Sequence, residues 1–79
     1  MPSPTYSTLL KTVSAYVDGP KAQEVIDRQL ASGGVTPDTL STADLVRLMT
    51  AVSTATKLYV ADKGRREEMV ARLKKMAAA

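Results

Sequence analysis

Apolar residues recur along this chain at intervals of three and four, in four separate runs, and that period is the mark of amphipathic helices. In the first run Tyr6, Leu9, Leu10, Val13, Tyr16 and Val17 share one face. Ser3 stands before Pro4, a capping hydroxyl followed by the residue best tolerated in a first helical turn, so the spacing predicts a helix over residues 4–17. Asp18, Gly19 and Pro20 end it, because Gly accepts a left-handed turn and Pro has no N–H to continue the ladder. Pro20 opens a second helix over residues 20–32, with Ala22, Val25, Ile26 and Leu30 on its apolar side and Gly33 with Gly34 after it.

The stretch VTPDTLSTADL carries two helix-start signals in succession. Thr36 with Pro37 is one, and Ser41 with Asp44 three residues later is a capping box in which Asp replaces the usual Glu or Gln. One helical turn over residues 37–40, tucking Leu40 inside, should therefore precede a long third helix over residues 42–61. Leu45, Leu48, Met49, Val52, Ala55 and Tyr59 fall within an arc of about 120° on that helix. Thr56 lies in the same arc, where its hydroxyl can bond back to the carbonyl of Val52. Asp62, Lys63 and Gly64 mark a weak break before a fourth helix over residues 64–76, whose apolar face is Met69, Val70, Leu73 and Met76. Without that break, residues 42–76 would form one helix of about 50 Å. No stretch alternates in the manner of a strand. The expected fold is all-α, a single domain built as a small bundle of three to four helices with one short helical turn before the long third helix.

Composition adds that the core is small. Seventy-nine residues bury a limited fraction of their surface, and with no Phe or Trp no large aromatic anchor fills the interior, so self-association would help the fold. No apolar run is long enough to span a bilayer, and the first ten residues lack the basic and apolar regions of a signal peptide. The absence of cysteine agrees with a reducing compartment. A cytoplasmic location away from membranes is the expectation.

The chain also has no histidine, so the commonest general base, the usual metal ligands and the best thiol nucleophile are all missing. Six serines have no histidine to activate them, and they read as helix caps and solvated positions. Glu67 and Glu68 are adjacent, and on a helix they point about 100° apart, which does not suit an acid and base pair sharing a substrate. Asp38, Asp44 and Asp62 lack calcium-loop spacing, and the glycines build no phosphate cradle. The expectation is a protein that is not an enzyme, with no catalytic residues, no cofactor and no metal.

Charge is informative by position. Through Val60 five basic and five acidic residues cancel, so the net charge of +3 resides in the remaining tail, where Lys63, Arg65, Arg66, Arg72, Lys74 and Lys75 outnumber three acids. Such a tail can attract an acidic protein or a nucleic acid. The string GGVTPDTLSTADLVRL resembles the turn and recognition helix of helix-turn-helix proteins, which implies DNA binding. It departs from them in placing Leu30 where that motif has a small residue, Gly33 where it has an apolar one, and Asp38 and Asp44 where phosphates would lie. Asp38, Thr39 and Leu40 are similar to the Asp-Ser-Leu attachment site of acyl carrier proteins, but Thr39 is not the serine that phosphopantetheine needs and the chain is basic where carriers are acidic.

Some residues are surplus to a one-stripe core. Val46 and Leu58 each lie about 120° from the centre of the third helix's stripe, on opposite sides, and Gln29 is a polar residue amid the second helix's apolar arc. Arg65 and Arg66 flank the apolar face of the fourth helix, and Arg72, one turn after Glu68 and paired with it, is another cation of the tail. Tyr16 and Tyr59 are expected in the core. Val46, Leu58, Gln29, Arg65, Arg66 and Arg72 are thus the partner-binding candidates of a non-catalytic interaction module, an adaptor, regulator or assembly subunit. Its expected partner is itself, as a homodimer, or an acidic protein. The alternative is a small helix-turn-helix-like regulator that binds nucleic acid through its basic C-terminal helix.

Overall fold

Four helices form, and local chemistry marks where most of them begin and end. The computed structural model describes residues 2–78, and among these the helices are α1 (Pro4–Ser14), α2 (Gly19–Ser32), α3 (Thr42–Lys57) and α4 (Lys63–Ala78), with no strand. Ser3 Oγ accepts the Tyr6 N–H at 3.1 Å, which starts α1 with Pro4 in its first turn. The helix stops short of the expected Val17: the Tyr16 and Val17 N–H groups both donate to the Val13 carbonyl, a tight turn that still buries Val17. Between α2 and α3 the Thr39 and Leu40 N–H groups both donate to the Thr36 carbonyl, forming the expected single turn with Leu40 buried.

The capping box at the start of α3 is complete. Ser41 Oγ accepts the Asp44 N–H at 3.2 Å, while Asp44 Oδ2 accepts the Ser41 hydroxyl at 3.0 Å and its N–H at 3.3 Å. These bonds from Ser41 hold the Asp44 carboxyl below the ordinary aspartate range. Ser41→Ala removes the cap, and its expected cost is about 1 kcal/mol. Urea denaturation should show a lower midpoint with an unchanged slope.

The third helix ends at Lys57 rather than at residue 61, and this separates α3 from α4. Val60 is buried, which bends the chain inward, and Arg66 gathers the carbonyls left over, donating from Nε to Val60 at 3.1 Å and from Nη2 to Ala61 at 3.3 Å. Asp62 Oδ2 then accepts the Arg65 N–H at 2.8 Å, an N-cap for α4. Because the helix has ended, Tyr59 is carried out of the stripe and is exposed, not in the core as its spacing predicted. Ser53 is buried instead, donating to Met49 Sδ at 3.3 Å, and Thr56 donates to the Val52 carbonyl at 2.7 Å as expected.

The helices close into a ring in which α1 touches α2, α2 touches α3, α3 touches α4, and α4 returns to α1. Leu9, Val13, Ile26, Leu30, Leu45, Val52, Met69 and Leu73 fill the interior. Where α2 ends, Gly33 lies over Leu48 so closely that a Cβ there would sit 2.6 Å from Leu48 Cδ2, and Gly34 makes the left-handed exit with φ of 74°. Across the α1–α2 seam the buried Tyr6 donates its phenolic O–H to Asp27 Oδ1 at 2.6 Å.

Candidate protein interfaces

Two surface depressions flank α3, and the sequence-predicted residues divide between them. On the α2 side, Val25, Arg28 and Gln29 meet Ala55, Leu58 and Tyr59 around a shallow hollow of about 160 Å³. Leu58 stands beside it with 79% of its surface exposed, the most of any large apolar residue described, and Tyr59 is 46% exposed. Lys21 Nζ lies 5.3 Å from the centroid of the Tyr59 ring, and Lys21 and Arg28 both pair with Glu24, at 3.6 and 3.4 Å. The cations at this rim are thereby partly neutralised, and the hollow is chiefly apolar. Gln29 is half-buried in its wall, which accounts for a polar residue in the arc of α2.

On the α4 side a larger groove of about 530 Å³ runs between α3 and α4. Val70 and Ala71 give it apolar lining; Lys57, Lys63, Arg66 and Lys74 line it with positive charge, and Glu67 is its single acid. Lys74 also belongs to an adjoining hollow of about 260 Å³ made by Val46, Met49 and Ala77. Val46 is 55% exposed there. Val46 and Leu58 are therefore on opposite flanks of α3, and no one face presents both.

The basic tail is divided in the same way. Arg65 reaches from α4 back to the end of α1, donating from Nη2 to the Ala15 carbonyl at 3.0 Å, with its guanidinium carbon 5.1 Å from the Tyr16 ring centroid. Arg72 lies 5.6 Å from the same ring and donates to Glu68 at 3.2 Å. Partial burial raises the Tyr16 phenol above its ordinary pKa, opposed by the positive charge of Arg72. Arg65 and Arg72 thus clamp α1 to α4, and Arg66 secures the α3–α4 connection while its side chain also lines the groove. Lys57, Lys63 and Lys74 have no hydrogen-bond or ion-pair partner among the described residues. The sequence counts Lys63 and Lys74 among the basic tail residues, but none of the three lysines is among the partner-binding candidates read from it. Lys63 and Lys74 belong to a second stripe on α4, residues 63, 66, 67, 70 and 74, which shares the three-and-four spacing of the core stripe, whereas Lys57 on α3 carries no such signal.

The link between α2 and α3 spans residues 33–41, with a turn of its own, and α3 begins on a capped carboxylate. That arrangement differs from the short connection and phosphate-facing helix start of a helix-turn-helix unit. Among the described residues no three acidic side chains converge, no buried polar side-chain atom lacks a hydrogen bond, and no helix is long and apolar enough to cross a membrane. No protein-family model matches the chain, and comparisons with curated proteins and with solved structures give no match.

Proposed function

We propose that this chain is a non-catalytic protein-binding module of the cytoplasm, an adaptor, regulator or assembly subunit, which pairs with a second copy of itself through the α2–α3 face. The observation that supports this reading is the exposed Leu58 standing next to an unfilled apolar hollow. At about 30 Å³ per water the hollow has room for about five waters, and so for one leucine side chain. A two-fold axis requires that residue i of one copy meet residue j of the other and the reverse. A knob beside a hole meets that condition: each Leu58 enters the hollow of the facing copy, and Tyr59 covers it from the side. Glu24 offsets one of the two charges of Lys21 and Arg28 at the rim, which reduces like-charge repulsion across such an axis.

Leu58 lies one residue beyond α3 and makes no part of the core, so it can be changed without disturbing the monomer. Leu58→Glu would place an unpaired carboxylate in a desolvated seam, which costs several kcal/mol in the dimer and little in the free chain. Sedimentation equilibrium should give a dimer mass for the wild-type chain at about 100 µM, corresponding to association in the range of about −7 kcal/mol or better. The variant should run as a folded monomer under the same conditions. A wild-type monomer, or a variant with the dimer mass, overturns the reading.

A further inference from the structure

We propose that the groove between α3 and α4 is a second binding surface, separate from the self-pairing face, and that its occupant is an acidic amphipathic helix of another protein.

The argument begins with where the charge is. The chain has 11 basic and 8 acidic residues. Four basic residues, Lys57, Lys63, Arg66 and Lys74, and one acidic residue, Glu67, line the groove. The remaining seven basic and seven acidic residues cancel, so the whole formal charge of +3 is concentrated along this single feature. Outside it, Lys21, Arg28, Arg47, Arg65 and Arg72 are occupied by carboxylates, carbonyls or tyrosine rings. Within it, Lys57, Lys63 and Lys74 have no such partner among the described residues. Lys11 and Lys75 also lack such a partner among the described residues, but neither lines the groove, so Lys57, Lys63 and Lys74 are the uncommitted cations gathered along it.

The shape and lining then select the occupant. Val70 and Ala71 line the groove, and the feature continues past Lys74 to Val46, Met49 and Ala77. A phosphate backbone gains nothing from such apolar lining, and Glu67 within the groove would repel it. A helix that carries an apolar ridge at three-and-four spacing, flanked by Asp and Glu, satisfies both the apolar lining and the cationic rim. The distance along α4 from Lys63 to Ala77 is about 21 Å at 1.5 Å per residue, which fits about four turns of a partner helix. Rim charges of this kind chiefly raise the association rate and select against basic partners.

The test is fluorescence anisotropy with a labelled peptide of about 16 residues, long enough for four helical turns, with leucines on one face and glutamates on the rest. The protein is the full chain, wild-type and Leu58→Glu, at about 150 mM salt, where exposed charges beyond about 8 Å are screened. Both proteins should bind the peptide with equal affinity, because Leu58 lies on the opposite flank of α3; self-pairing can then fail without affecting this result. Reversal of two rim charges, Lys63→Glu with Lys74→Glu, should weaken binding by at least about tenfold while the circular dichroism spectrum is unchanged. Should that variant fail to fold, neutralisation by Lys63→Gln with Lys74→Gln should still weaken it by at least about threefold. A peptide of the same composition with its ridge scrambled should bind at least about tenfold more weakly. The proposal is overturned if the scrambled peptide binds as well as the ridged one, if the folded charge variants bind the peptide as tightly as wild type, or if a DNA duplex binds more tightly than the peptide.

Discussion

Truncating Leu73 to alanine should destabilise the protein by about 2–5 kcal/mol, the range for removing a fully enclosed leucine. A chain of 79 residues has about 4–12 kcal/mol of stability in all, so this one change removes a large share of it. The loss bears on α4 in particular. Among the described residues of that helix only Met69 and Leu73 are fully enclosed, with Met76 and Ala77 packed at the margin, so the cavity would take away one of its two deepest anchors. Urea denaturation followed by circular dichroism checks the value, and the slope is informative as well: if α4 detaches before the rest, the transition broadens or splits. Val70→Ala, on the same helix but at the groove, should cost less than about 1 kcal/mol. Equal costs at the two positions would mean that α4 packs on a different face from the one described.

Above pH 10 the fold should lose stability in a way that depends on Tyr6. Burial, then the hydrogen bond to Asp27, raise the phenol far above its ordinary value of 10.0. Below pH 10 the folded and unfolded states both keep the proton, and the contribution is whole. As pH rises past 10, the unfolded chain releases the proton while the folded chain retains it, so stability falls by up to about 1.4 kcal/mol per pH unit for this one group. Tyr6→Phe should cost about 1–3 kcal/mol at neutral pH, since a hydrogen bond to a carboxylate is lost. Between pH 10 and pH 11 its stability should then fall less steeply than that of the wild-type chain. The Tyr16 phenol is also raised, so some alkaline slope persists until Tyr16→Phe is added. Stability curves at several pH values for the single and double variants measure both effects, and parallel curves for wild type and Tyr6→Phe would refute the assignment.

The helix starts were legible because their signals are local. Ser3 with Pro4, Pro20, and Ser41 with Asp44 each act within one turn, and each does in the fold what its spacing implies. The helix ends were less so. The end of α3 has no glycine; it depends on Val60 turning inward and on the Arg66 side chain reaching back to two carbonyls, which are tertiary events. That is why Tyr59 was misplaced. The binding surfaces show the same division. Val46 and Leu58 were legible as surplus apolar residues from the phase of a single helix. The groove was not, since Lys57 on one helix and Lys63 and Lys74 on another come together only when α3 and α4 pack. Counting tail charges also gave no means of separating Arg65 and Arg72, which clasp Tyr16, from the lysines that remain uncommitted.

The bond from Arg65 to the Ala15 carbonyl joins positions fifty residues apart, and it has a consequence during synthesis. A ribosome delivers α1, α2 and α3 before α4 exists, so a nascent chain ending near residue 62 leaves uncovered the parts of α1 and α3 that α4 packs against. Ring closure then waits for the last helix to leave the exit tunnel, and the cation that latches it onto α1 lies in its first turn. The latch therefore emerges ahead of Met69 and Leu73, the residues that anchor α4 in the core.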